Sequence, residues 1–478
     1  MSTTATSPRP TDNRTETSGL VAAMAAYAHA PLGGLSPQVS ELTRRTLVDT
    51  VGVAVAARNE APVRILETTL GALPDGPATV WYSGERTDAA TAALLNGTAG
   101  HALDFDDVTD VAMGHPSVVL WPAIVAAGQQ TGASGQAMLD AYVVGFVVHA
   151  AVARAMDVPA HYSTGWHSTA TIGILGATAG VARLSGLSDD ATRRAIGLAA
   201  SMAGGSRQNF GTMTKPLHPG LAARDAIFAV RLAGQNFTAD TEELDSPLGY
   251  FSRFAPGADV AAALTALSGT DAFTESGINV KKYPCCYNTH RTADASLHLR
   301  ARDHIDPAAI SRIHVVLEPL GFEPLIHHRP WTGLQGKFSV EYVIAAAMLD
   351  GAVNLASFTD EAVQRPEAQA LIEKITYGVA ETPPFGPQEW EYAYSALEVE
   401  TTDGVIHRFR TDVPRGDTRA PLTIEELDAK FADCLAFGGQ GWDVATLREE
   451  LWSVESASRV ELAAMCPDAA SAATPAER

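Results

Sequence analysis

Three short segments of this 478-residue chain concentrate side chains that can move protons and hold anions. The first is Gly100-His-Ala-Leu-Asp-Phe-Asp-Asp107, followed by His115-Pro-Ser117. The second is Met213-Thr-Lys-Pro-Leu-His-Pro-Gly220, where a lysine and a histidine fall within four residues of each other beside a proline. The third is Lys281-Lys-Tyr-Pro-Cys-Cys-Tyr-Asn-Thr-His290. Carboxylates, imidazoles and ammonium groups in three separated clusters imply one active site assembled from distant parts of the chain. No phosphate loop, nucleophile elbow, metal pair or cofactor fingerprint accompanies them. The chemistry that needs only these groups is proton removal from a carbon next to a carboxylate. Cations and helix N–H groups stabilise the enolate-like transition state, and a positioned His or Asp takes the proton. Dehydration, epimerisation and decarboxylation all pass through such a carbanion, so residue types fix the intermediate and not its fate.

Each candidate has a plainer reading beside the functional one. Asp106 and Asp107 suit a capping turn that leads into a helix near Ser117, whereas Asp104 is expected to share a helical face with His101. Asp and His are also metal ligands, but no paired-His spacing accompanies them, and no metal is expected. His167, in Gly165-Trp-His-Ser-Thr169, falls at a predicted helix start, where the cationic form is disfavoured and a neutral base is favoured. Lys215 precedes a proline and is expected to be extended, with a helix beginning behind it at Gly220. The alternative for Lys215 and His218 is a solvated loop. Arg207, upstream of that loop, is a further candidate anion contact. Lys281 and Lys282 are either lid cations or ordinary surface charge, and His290 follows eight residues past Lys282. Cys285 and Cys286 are more often packing residues than nucleophiles.

The elements that must position these groups are mainly helical. From about Leu20 to Asp271, alanine-rich patterns predict helices at 88–103, 117–131, 134–156, 168–185, 188–204, 219–233 and 259–268. Ser36-Pro37 supplies an N-cap with proline at the first helical position. Gly173-x-x-Gly-x-x-x-Gly180 lies inside a helical pattern and is read as small-residue packing. After about Gly277 the pattern changes. Strands are expected at 311–319 and 374–379, and a hairpin at 397–411 turns at Asp403-Gly404. Thr423-Ile-Glu-Glu426 carries capping-box spacing and restarts the helical pattern. The predicted architecture is a mainly α protein: an all-helical domain from both chain ends (19–272 and 413–466) with an inserted α+β lid (273–412). Residues 1–18 and 467–478 are expected to lack order.

Composition narrows the partners. A formal charge of −21 and a pI near 5.0 repel phosphate backbones and anionic membranes, so neither nucleic acid nor a membrane surface is an expected partner. The apolar run Ala141–Ala155 is interrupted by His149 and falls short of the roughly 20 residues needed to span a bilayer. Four cysteines in no disulfide or zinc pattern point to a reducing cytoplasm.

The three clusters together resemble the MmgE/PrpD family, which contains 2-methylcitrate dehydratase, cis-aconitate decarboxylase and iminodisuccinate epimerase. The resemblance rests on Asn96-Gly97 through Asp107, His115-Pro-Ser117, Gly211 to His218 with Gly220-Leu-Ala-Ala223, Lys282-Tyr-Pro-Cys-Cys286 with His290, and Gly336-Lys-Phe-Ser339 before Tyr342. It runs from about residue 20 to 460. It implies a cofactor-free homodimer with its site in a cleft between a helical domain and an α+β lid. Active-site positions implied by it are Asp104, His115, His167, Lys215 and Lys281. Val108 stands where the animal decarboxylase branch has threonine, and Cys286 where it has histidine. The expected function is therefore a lyase of a small di- or tricarboxylate, with an epimerase as the alternative and a non-catalytic carboxylate binder as the rival. His115, His167, Lys215 and Asp104 are the expected catalytic set, with Asp104 orienting an imidazole. Lys281, Lys282, His218, Arg207, His290 and Cys286 are the expected substrate contacts.

Overall fold

Small residues let the helices of this chain approach closely, and that sets the architecture. In the computed structural model, which describes residues 19–267, 271–387, 389–391, 393–462 and 465, the fold is mainly α. The stretches 1–18 and 467–478, together with Cys466, lie outside the described residues. Helices Ala89–Ala102, Ser117–Thr131, Gly135–Ala155, Ser168–Leu184, Asp189–Met202 and Thr214–Gly234 build one continuous hydrophobic core. Helix Ala89–Ala102 meets helix Thr214–Gly234 where a Cβ on Gly97 would lie 2.8 Å from the Gly220 Cα, so only glycine permits that approach. The Gly173 to Gly180 run packs in the same manner, against Val119, the Gly145 backbone and the Ala141 carbonyl.

Helix Gly135–Ala155 corrects one expectation. It begins at Gly135, capped by the Ser134 side chain, and its 21 residues are long enough to cross a bilayer. Of its most apolar 18-residue stretch, 83% is instead buried inside the protein, so burial and not length is what distinguishes it. His149 lies in the middle of this helix with no hydrogen-bond partner on either ring nitrogen.

A second hydrophobic cluster gathers around a four-stranded sheet. Strand Ile310–Leu317 is central and pairs in parallel with Ile375–Val379 and antiparallel with Ser395–Thr401. Ser395–Thr401 continues into Ile406–Thr411 through the Asp403-Gly404 turn, where Gly404 adopts φ 84°. Alternate residues such as Ile313 and Val315 point to one face, against helices His290–Asp303 and Val340–Asp350. Helix Ile424–Phe437 opens with the expected capping box of Thr423 and Glu426 and returns to the first core. Tyr162 and Phe210 leave the helical part to join the sheet-side cluster, which stitches the two together around a cavity.

Candidate active site

Asp104 sits two residues past the end of helix Ala89–Ala102, and its backbone is left-handed, with φ 51°. That conformation is uncommon for a residue bearing a Cβ. Three lysines hold the turn through its consecutive carbonyls. Lys337 donates to the Leu103 oxygen at 2.7 Å, Lys281 to that of Asp104 at 2.8 Å, and Lys430 to that of Phe105 at 2.9 Å. Lys430 is itself anchored on Asp49 at 2.6 Å. Burial presses the Lys337 ammonium down to about 8.

The left-handed turn changes which carboxylate serves which partner. Asp104 does not share a helical face with His101. It faces Lys215, to which its Oδ1 is hydrogen-bonded, and Lys281, whose Nζ lies 3.2 Å from its Oδ2. Burial opposes its charge, but the two ammonium groups outweigh this and hold its carboxyl well below the usual range. The imidazoles go to Asp106. His101 Nδ1 lies 2.8 Å and 3.0 Å from the two Asp106 oxygens. His115 Nδ1 is 3.1 Å from Asp106 Oδ2, while its Nε2 lies 3.9 Å from Asp104 Oδ1. Asp106, and not Asp104, is therefore the carboxylate placed to orient an imidazole. Burial keeps His101 at about 3 and lowers His115, so both rings are neutral near pH 7. Asp107 does cap the following helix, accepting from the Ser117 backbone at 3.3 Å and from its hydroxyl.

Lys215 also departs from expectation. The helix begins at Thr214 and not at Gly220, so Lys215 stands in its first turn. Pro216 fits there because first-turn N–H groups have no intrahelical acceptor. The helix then continues through Pro219, which cannot donate to the Lys215 carbonyl. The Lys215 ammonium is buried, 5.2 Å from the Phe210 ring centre and 5.0 Å from that of Phe338, with Asp104 as its counter-ion. His167 does stand at its helix start, in the N-cap position, and burial together with Lys215 holds it well below its ordinary value.

Asp104, His115, His167, Lys215, Lys281 and Cys286 all line one cavity of about 390 Å³, between the helical core and the sheet. Val108, Phe210, Phe338, Asn288, Arg291 and Glu318 complete its working surface. Burial pushes the Cys286 thiol up to about 11, so it stays protonated. Four expected contacts stand outside the cavity. His218 lies behind His167, the two Nδ1 atoms 3.0 Å apart, and lines a separate small cavity. Arg207 stacks 4.1 Å from the Tyr162 ring centre and is tied to the Tyr162 and Glu323 carbonyls. Lys282 is exposed in a separate groove, because neighbours in an extended segment face opposite ways. His290 is packed between the Tyr283 and Tyr287 rings, its Nε2 3.3 Å from the Cys285 carbonyl.

His101, Asp104, Asp106 and His115 present ligand atoms within 4.8 Å of one another, a spacing that suits a metal ion. Two ammonium groups already occupy Asp104, however, and the imidazoles already engage Asp106. The cluster is balanced by the protein's own charges, and an added cation would meet both lysines at close range.

Comparison with known proteins finds relatives along most of the chain. The MmgE/PrpD N-terminal domain profile matches residues 22–263, and the C-terminal domain profile matches residues 283–451. The cis-aconitate decarboxylase of Homo sapiens is 27% identical over 416 residues, covering 84% of both chains. A cis-aconitate decarboxylase-like protein of Aspergillus oryzae is 30% identical over 380 residues, covering 75% of this chain and 78% of its own. The cis-aconitate decarboxylase of Aspergillus terreus is 26% identical over 422 residues, covering 82% and 84%.

Proposed function

This chain belongs to the MmgE/PrpD family, and from that premise we propose that it is a cofactor-independent lyase of a small di- or tricarboxylate resembling cis-aconitate or 2-methylcitrate. The observation that carries the reading is one buried cavity holding His115, backed by Asp106, together with the Lys215 and Lys281 ammonium groups. A substrate carboxylate takes the place of part of the Asp104 contact and is held between the two lysines. Charge that develops on that carboxylate as the neighbouring carbon loses or gains a proton is stabilised by the same lysines in a dry site. His115 is the proton carrier. Contact of its Nδ1 with Asp106 favours the tautomer whose Nε2 is free, and Asp106 then stabilises the imidazolium formed. Neutral His167, supported by His218, is the second proton carrier.

An epimerase of a dicarboxylate such as iminodisuccinate is the second reading. Two neutral imidazoles on one cavity supply the two bases that inversion needs, and the Cys286 thiol stays protonated where the animal decarboxylase branch carries histidine. A non-catalytic carboxylate binder is the rival. In the same reading the sheet-bearing part is a lid, the chain forms a homodimer, and it works in the cytoplasm.

Proton NMR of the protein in deuterated buffer with cis-aconitate, 2-methylcitrate, citrate and iminodisuccinate separates these readings. A new product signal marks the lyase. Deuterium entering next to a carboxylate with inversion marks the epimerase. Unlabelled, unchanged compounds across the set would defeat both and leave the binder.

A further inference from the structure

Arg291 is the second residue of helix His290–Asp303 and lines the active cavity from the sheet side. It is 6% exposed. Its Nε donates to the Asp412 carbonyl at 2.8 Å, which fixes the guanidinium plane. Its terminal nitrogens form no hydrogen bond or ion pair among the described residues. A guanidinium this buried without a carboxylate partner is unusual, and here the Tyr287 ring, 5.9 Å from its centre, is the near neighbour of the charge. Two acidic groups are near enough to influence it, and neither is its partner. Asp417 is already held by its own arginine, Arg419, at 2.9 Å and 3.0 Å, and by the Tyr287 hydroxyl at 3.2 Å. Glu318, on the same cavity wall, accepts from the Tyr394 amide at 3.3 Å and forms no ion pair with Arg291 among the described residues.

We propose that Arg291 binds a third carboxylate of the substrate, carried on an arm beyond the two on the double bond, so that the cavity prefers tricarboxylates of the cis-aconitate kind to the matching dicarboxylates. The inference rests on the reading of the cavity as a polycarboxylate site. In that site Lys215 and Lys281 hold the carboxylate next to the reacting carbon, and Arg291 takes the one beyond it. Arginine suits the task because its planar fork can give two parallel N–H donors to one carboxylate, and its Nε tether leaves the terminal nitrogens for that purpose. Asn288, on the same rim, adds a polar neighbour, although its amide is engaged with the Leu320 and Gly321 carbonyls. Substrate length, and not only charge, is then read by the distance between the two cationic poles.

The test compares cis-aconitate with citraconate, which keeps the two carboxylates of the double bond and lacks the third, carboxymethyl arm. Calorimetric affinities are measured for the wild-type chain and for Arg291→Gln and Arg291→Lys. The wild type is expected to prefer cis-aconitate by about 10- to 100-fold, the range for a charge-assisted pair. Arg291→Gln is expected to bring that ratio near one while leaving citraconate affinity within about threefold, and Arg291→Lys to restore part of it. The ratio is insensitive to a general loss of stability, which thermal melting monitors separately. A wild type that binds cis-aconitate well but shows no preference, or an Arg291→Gln variant that keeps the wild-type ratio, overturns the assignment and leaves the function intact. A wild type that binds neither compound overturns the polycarboxylate reading, and the assignment with it.

Discussion

On the helical wall of the cavity, Asp104 is held between Lys215 and Lys281, and Asp106 between His101 and His115. On the facing wall, Arg291 and Glu318 stand without ion-pair partners among the described residues. The first wall is already charge-paired before any substrate arrives, and in the proposed reading only part of the Asp104 contact is exchanged for the substrate carboxylate, so little further rearrangement is needed when charge develops. The second wall is electrostatically open and becomes complete only with an anion. In the proposed reading the contrast divides chemistry from recognition within one cavity of about 390 Å³. Changes on the first wall should reduce turnover, and changes on the second should alter which substrate is bound.

The largest effect is expected from Lys215→Met. Removing one ammonium from the developing charge should lower kcat by about 10³-fold or more, measured as the rate of product formation or of deuterium entry. Retention of full exchange by this variant would remove Lys215 from the chemistry. Asp106→Asn comes next, at on the order of 10²-fold in kcat with KM little changed. It leaves the binding lysines in place and disturbs the carboxylate shared by His101 and His115, so a pure KM effect would contradict the division of labour between the walls.

A smaller effect is expected on stability. Burial holds His101 at about 3 and His149 at about 4, whereas both titrate near 6.5 in the unfolded chain. As the pH falls below 6.5 the unfolded chain takes up protons that the folded chain refuses. The stabilisation is therefore complete above about 6.5 and is lost progressively toward 4 and 3. Melting temperatures recorded from pH 7.5 to 4.5 should fall, and His149→Leu should flatten part of that slope. A slope unchanged in the variant would mean that His149 is not the refusing group. The smallest effect is reserved for Lys282→Ala, which should change kcat/KM by less than about twofold, since exposed charges away from a site contribute little. A tenfold loss would bring that side chain back to the substrate.

What could be read from the sequence followed the kind of signal involved. Local patterns carried the Ser36 cap, the Thr423 capping box and the Asp403-Gly404 hairpin, because each depends on a few neighbouring residues. Residue chemistry also marked five of the polar groups that meet on the helical side and beside it. The exchange of roles between Asp104 and Asp106 was hidden, since it follows from one positive φ that three remote lysines stabilise. Lys215 was misread as extended because the pre-proline preference is weaker than a helix whose first turn tolerates proline. Lys281 and Lys282 could not be told apart, as alternation places one inside and one outside only once the register is known. Arg291 and Lys430 lie in charged helices, where an isolated cation has the signature of an ordinary solvated face.

The turn at residues 103–105 also says something about when its own shape can be fixed. Its three carbonyl ties reach across 234, 177 and 325 positions of chain, to Lys337, Lys281 and Lys430 respectively. Contacts of such separation form late, after the entropy of closing large loops has been met. During synthesis Asp104 leaves the ribosome long before Lys430 does, so the nascent helical part has no assembled site to expose to cellular metabolites. The turn can therefore gain its full set of ties only once the chain extends as far as Lys430.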